Sequence, residues 1–118
     1  MLITHKEILL GANAEIAKGD HEGFLEHCTE DTKWTFLGDR VLEGKAAVRA
    51  WMISTYVNPP EVVVERLIAE GDFLTAIGTV TVTDANGKST SSWYCDVWRF
   101  RDGKLAELTA FVIEKIPQ

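Results

Sequence analysis

The chain has little of what would mark several common protein classes. Two cysteines, Cys28 and Cys95, occur in 118 residues, far apart and in no metal or redox spacing. That excludes a disulfide-stapled scaffold and reads them as small buried apolar residues in a reducing, cytoplasmic setting. No apolar run approaches the roughly 20 residues that span a bilayer, so no membrane partner is expected. The stretch MLITHKEILLGA lacks the basic start, long apolar centre and small-residue cleavage site of a signal peptide. Basic residues are scattered, and the formal charge of −6 argues against nucleic acid, which needs a clustered Lys/Arg face. Nucleophile-elbow, phosphate-loop and dinucleotide motifs are missing, so no cofactor is implied. No repeat, low-complexity segment or linker breaks residues 1–118, which read as a single domain.

Hydrophobic residues at 46% and charged residues at 25% fit an ordinary globular domain. Thr4-His5-Lys6-Glu7 has the form of a capping box, followed by Ile8, Leu9, Ala12 and Ile16 at helical spacing. Lys18-Gly19 supplies the stop. Asp20 can cap a shorter helix carrying Phe24, Leu25 and Cys28. Trp34–Leu37 and Val41–Gly44 read as short extended pieces about a Gly38-Asp39 turn. A third helix runs from Lys45 to about Tyr56, with Val48, Trp51, Met52 and Tyr56 on one face, and Asn58-Pro59-Pro60 ends it. The period then becomes two. Strands are predicted over Glu61–Glu70, Phe73–Thr83, Lys88–Phe100 and from Lys104 onward, joined by Gly71-Asp72, Asp84–Gly87 and Asp102-Gly103 turns. Helices followed by an antiparallel meander make an α+β arrangement in which the helices cover one sheet face.

The helical hairpin ending at Gly19-Asp20, the Glu30-Asp31…Trp34…Phe36 strand, Gly44 with its following helix, and the closing VWRFRDGKLAEL strand pair resemble the NTF2-like superfamily. Within it they look most like SnoaL-like and ketosteroid-isomerase-like small bacterial proteins. The resemblance covers essentially the whole chain and is a pattern of positions, specific for fold and weak for chemistry. It implies a cone-shaped, cystatin-like fold, with three N-terminal helices packed on a curved, mainly antiparallel sheet around an apolar pocket. It also implies a homodimer through the outer sheet face. Ketosteroid isomerases use a first-helix tyrosine, a first-strand aspartate base and a protonated aspartate in the penultimate strand. Aligned on this chain, those positions hold Ala12, Phe36 and Asp96. With two of three missing, steroid isomerisation by that mechanism is not expected.

Asp96 stands between Tyr94 and Trp98 on one strand face. A carboxylate among aromatic rings is costly without a partner or a purpose; desolvation would raise its pKa and let it move protons near neutrality. The bland alternative is a purely structural role, with Asp96 hydrogen-bonded to Tyr94, another side chain or bound water. Its neighbours depend on the last turn. A two-residue loop puts Asp96 opposite Thr109 and Trp98 opposite Glu107. A three-residue Arg101–Gly103 loop puts Asp96 opposite Leu108, with Ala106, Ala110 and Val112 on the same side and Glu107 turned outward near Arg99. The second version gives a wall of small residues and matches the family placement, so it is the one adopted. The predicted pocket lining is then Ala12, Trp34, Phe36, Trp51, Met52, Tyr56, Tyr94, Trp98, Leu108, Ala110 and Val112.

His21 and His27 are six apart, which sends them to different helix faces, so no metal site is expected. Glu65 and Arg66 face opposite ways, so the two carboxylates flanking an arginine that an epoxide hydrolase of this superfamily would need cannot be assembled. The expectation is an isomerase, lyase or cyclase-like enzyme. It would act through Asp96 on a small apolar carbonyl or hydroxyl compound. The alternative is a non-catalytic ligand-binding or dimeric module, with Trp93, Val97, Phe111 and Ile113 forming the outer apolar patch.

Overall fold

The computed structural model describes residues 3–116; the remaining positions of the expected 1–118 domain lie outside the described residues. Helix α1, His5–Ala17, opens on the capping box: the Glu7 amide donates to Thr4 Oγ1 at 3.1 Å and the Thr4 amide to Glu7 Oε1 at 3.4 Å. Gly19, at φ 83°, turns the chain out of the helix. Asp20 then caps α2, His21–Leu25, accepting from the Gly23 amide at 2.8 Å. Cys28, expected on this helix, instead begins strand β1, Cys28–Phe36. That strand is nine residues long, extending well before the Trp34 start read from hydrophobicity. Its first half is polar and carries no apolar period; tertiary pairing holds it extended.

Strand β2, Arg40–Glu43, folds back on β1, and α3, Lys45–Thr55, follows from Gly44. Strands β3 (Glu61–Glu70), β4 (Phe73–Thr83), β5 (Ser89–Arg101) and β6 (Lys104–Glu114) form the meander. The six strands lie in the order β2-β1-β6-β5-β4-β3, antiparallel throughout except where β1 runs parallel to β6. Of the three described helices, α3 enters only after the β1-β2 hairpin, so the helices are not one continuous N-terminal block.

Three irregularities bend the strands. The β3-β4 register shifts between Val64 and Arg66, leaving Glu65 as an extra residue. The β5-β6 register shifts where Arg99 pairs with Glu107 and Phe100 with Leu105, so Ala106 is extra. The β1-β6 register shifts between Cys28 and Lys33, beside that same bulge. There the fully buried Thr32 hydroxyl has the Leu105 and Ala106 carbonyls at 3.2 and 3.1 Å, satisfying groups that the broken ladder would strand. Gly78 opposes the β3 bulge so closely that an added Cβ would lie 1.9 Å from the Val63 carbonyl oxygen.

One apolar cluster joins Leu9 and Ile16 of α1, Phe24 of α2 and Met52 of α3 to Leu74, Trp98 and Leu108 on the inner sheet face. Each such side chain contributes about 1.5–3 kcal/mol on burial. Arg49 on α3 grips Glu22 on α2 with two hydrogen bonds of 2.8 and 3.0 Å, tying the helices over the sheet. No described helix is long and apolar enough to cross a membrane.

Candidate functional site: a carboxylic acid in an aromatic chamber

The inner face of β5 presents Tyr94, Asp96 and Trp98 to a cavity of about 100 Å³ beneath the helices. Across the sheet, Asp96 pairs with Ala76 on β4 and Ala110 on β6, both buried. These methyl side chains leave room above the carboxylate but supply no donor. Nor does Tyr94 or any other described residue hydrogen-bond its carboxylate. Burial alone therefore pushes Asp96 up from 3.8 to about 7. The neighbouring phenols move the same way. Burial, then the Asp96 charge, pushes Tyr94 up to about 12 and raises Tyr56 as well, so both remain neutral O–H donors at neutral pH.

Aromatic rings enclose the rest of the chamber. Trp34 on β1 meets Trp98, Phe24 and Trp51 edge-on at centroid distances of 5.5, 5.8 and 6.0 Å. Trp51 also lies 5.0 Å from Phe36 and 5.1 Å from Tyr56. The indole N–H of Trp34 is buried without a hydrogen-bond partner.

The turn that sets the β6 face is the two-residue loop and not the three-residue Arg101–Gly103 loop adopted from the sequence. Arg101 pairs with Lys104, so the loop is the two residues Asp102 and Gly103, at φ 52° and 76°, as a type I′ hairpin requires. The bulge lies further along at Ala106, so Asp96 faces Ala110, neither Thr109 nor Leu108, and Trp98 faces Leu108. One extra residue in either place restores the same parity. Leu108, Ala110 and Val112 therefore share the inner side, and Arg99 meets Glu107 outside at 3.2 Å.

A family model, the SnoaL-like domain, matches residues 11–108. The chain belongs to this SnoaL-like family. No curated protein matches it. Among solved structures, the SnoaL-like domain resembles the epoxide hydrolase/cyclase-like enzyme SalBIII, which acts in pyran ring formation in the polyether salinomycin. The TM-score is 0.84 at 23% identity over 92% of this chain and 89% of that one. An NTF2-like protein of unknown function from Burkholderia pseudomallei gives TM-score 0.79 at 19% identity, over 92% and 90% of the two chains. A protein from Jannaschia sp. CCS1, provisionally described as a SnoaL-like polyketide cyclase, gives 0.78 at 20%, over 92% and 84%. At these identities the structural likenesses establish an NTF2-like α+β fold.

Most of the lining expected for the SnoaL-like domain comes together around Asp96. Trp34, Phe36, Trp51, Met52, Tyr56, Tyr94, Trp98, Leu108 and Val112 all border the inner cavity. Ala12 does not: it is fully buried in the packing of α1 against the sheet. Ala110 is also displaced, bordering an adjoining outer recess while its neighbour Asp96 faces the chamber. From α1 the cavity receives Leu9, Asn13 and Ile16. Asn13, a polar group the sequence reading passed over, sits at i+4 from Leu9 and i−3 from Ile16, a spacing that could have flagged it. Ala76, on the apolar Leu74-Ala76-Gly78-Val80 face of β4, borders the cavity as well, as do Pro60 and Val62, none of which was in the expected lining. Glu65 and Arg66 are exposed at the β3 bulge and border neither cavity.

Proposed function

We propose that this SnoaL-like domain is a small-molecule enzyme of isomerase, lyase or cyclase-like type, acting by proton transfer through Asp96. Its substrate is a small, mostly apolar compound with a carbonyl or hydroxyl group. The observation that carries the reading is one carboxyl group facing an aromatic chamber, held between two alanines without a hydrogen-bond donor; desolvation there pushes it up to about 7. At neutral pH such a group is present in both forms, the condition under which one side chain serves as general acid and general base. A ligand carbonyl oxygen would take a hydrogen bond from the Tyr56 or Tyr94 phenol while Asp96 removes or returns a proton on the adjacent carbon. The names given to SalBIII and the Jannaschia protein support a cyclase-like member of this reaction class.

Proton exchange tests this directly. Wild-type protein in D₂O should speed α-hydrogen exchange of 4-(4-hydroxyphenyl)butan-2-one, followed by ¹H NMR. Asp96→Asn should lose about 10²- to 10⁴-fold of that acceleration. Equal rates for wild type and variant would sink the proposal.

The outer sheet face supports a second property, self-association. Trp93 on β5 is 51% exposed and pairs across the sheet with Ile113, 67% exposed. Phe111, also exposed, lies on the same face opposite Cys95. The Lys115 ammonium lies 4.4 Å from the Trp93 ring centroid, so the patch is part apolar and part cationic; exposed rings of this kind are expected to be covered by a second copy of the domain.

A further inference from the structure

The chamber around Asp96 has a neighbour. A second recess of about 360 Å³ lies beside it, lined by residues from β1, α3 and the ends of β4, β5 and β6. Phe36, Trp51, Tyr56, Val80 and Val112 border both spaces. These five form a shared wall, three of whose members are rings in mutual contact through Trp51.

The two spaces differ in size and chemistry. An apolar cavity of about 150 Å³ holds benzene, so the inner chamber of about 100 Å³ takes only a fragment of that size or smaller. Sites for larger organic ligands run to about 300–1,000 Å³, which the inner chamber reaches only together with the outer recess. Away from the shared wall, the outer recess offers the hydroxyls of Thr55, Thr90 and Ser92 and the carboxylates of Asp39 and Glu114. None of its lining residues is basic.

We infer that the Asp96 chamber and the outer recess are two subsites of one site, threaded by an elongated, two-part ligand. A small carbonyl- or hydroxyl-bearing head lies against Asp96. A larger, uncharged body with hydrogen-bonding groups occupies the outer recess, and the Phe36-Trp51-Tyr56-Val80-Val112 wall closes around the link between them. Carboxylate- or phosphate-bearing bodies are disfavoured, because Glu114 repels them and no basic residue lines the recess; the Asp39 carboxylate is already paired with Arg40 at 3.4 Å beside it. This builds on the acid/base reading of Asp96 by adding which molecules reach it.

Three ketones sharing one head test the division: butan-2-one, 4-(4-hydroxyphenyl)butan-2-one and 4-(3-oxobutyl)benzoate. Their Kd values are read from the tryptophan indole resonances of ¹⁵N-labelled protein. The hydroxyphenyl ketone should bind about tenfold or more tightly than butan-2-one, and about tenfold or more tightly than the benzoate. Thr90→Trp, which fills the outer recess, should bring the ratio of the first two Kd values close to one. If that variant fails to fold, Thr55→Trp blocks the recess from the helix side. Equal binding of all three ketones, no binding of any, or a ratio untouched by a folded blocking variant would overturn the inference. The same preferences should hold in Asp96→Asn. Loss of exchange activity with preferences intact therefore separates the acid's role from the two-subsite division, and lost preferences with exchange intact separate them the other way.

Discussion

The half-buried acid in the chamber should make the folded domain lose stability as pH rises, and the size of that loss follows from its desolvation there. Asp96 has a pKa of about 7 in the fold against 3.8 when exposed. Between those values the unfolded chain has released this proton while the folded chain still holds it. Stability therefore falls as pH increases through the interval and levels off above about 7. Three units correspond to about 4 kcal/mol in full, of which about 2.5 kcal/mol falls between pH 5 and pH 8.5. Asp96→Asn keeps the shape and removes the ionisation. Urea unfolding followed by the fluorescence of the four tryptophans gives both stabilities at each pH. The stability of the variant minus that of wild type should grow by about 2.5 kcal/mol from pH 5 to pH 8.5. Taking the difference cancels every other titrating group to first order. A difference that stays constant, or that shrinks as pH rises, would refute the reasoning, since it would mean that Asp96 ionises as freely in the fold as outside it.

Two further outcomes follow from the packing. Gly78→Ala places a methyl group 1.9 Å from the Val63 carbonyl oxygen at the β3 bulge, where backbone must move. It should cost about 3 kcal/mol, the upper end for overpacking, and a urea midpoint within error of wild type would contradict the close approach. If the outer sheet face pairs two copies as proposed, wild type should sediment as a dimer at micromolar concentration and Trp93→Asp as a monomer. A wild-type protein already monomeric there would remove the basis for an outer-face interface.

What the sequence shows plainly is what local chemistry decides. The Thr4/Glu7 box, the Gly19 stop, the Pro59-Pro60 break and the period-two runs of β3 and β4 each carry their own signal, and each element forms where that signal lies. The first half of β1 has none. Its six residues from Cys28 to Lys33 are held extended by pairing with β6, seventy-odd residues on, and by the Thr32 hydroxyl on the Leu105 and Ala106 carbonyls. The Ala106 bulge is equally silent, since nothing in Lys-Leu-Ala-Glu-Leu requires an extra residue there. Its effect on the site is nonetheless large, because one residue inverts the face of a strand. Asp96 could be singled out because a charge inside an apolar strand is anomalous on its own. Asn13 could not be placed so easily, because an amide on an amphipathic helix is ordinary until the sheet beneath it is known. Ala12 shows the converse error: it lies on the buried face of α1 with Leu9 and Ile16, yet it is closed off in the packing and does not border the cavity.

Both the stability change and the proposed chemistry depend on the proton held by Asp96. Protein labelled with ¹³C at aspartate carboxyl carbons, with Asp96 assigned by its absence in Asp96→Asn, allows that group to be titrated by NMR from pH 3 to pH 9. A midpoint near 7 is the expected result. A midpoint in the ordinary aspartate range near 4 would contradict both the desolvated acid and the chemistry proposed for it.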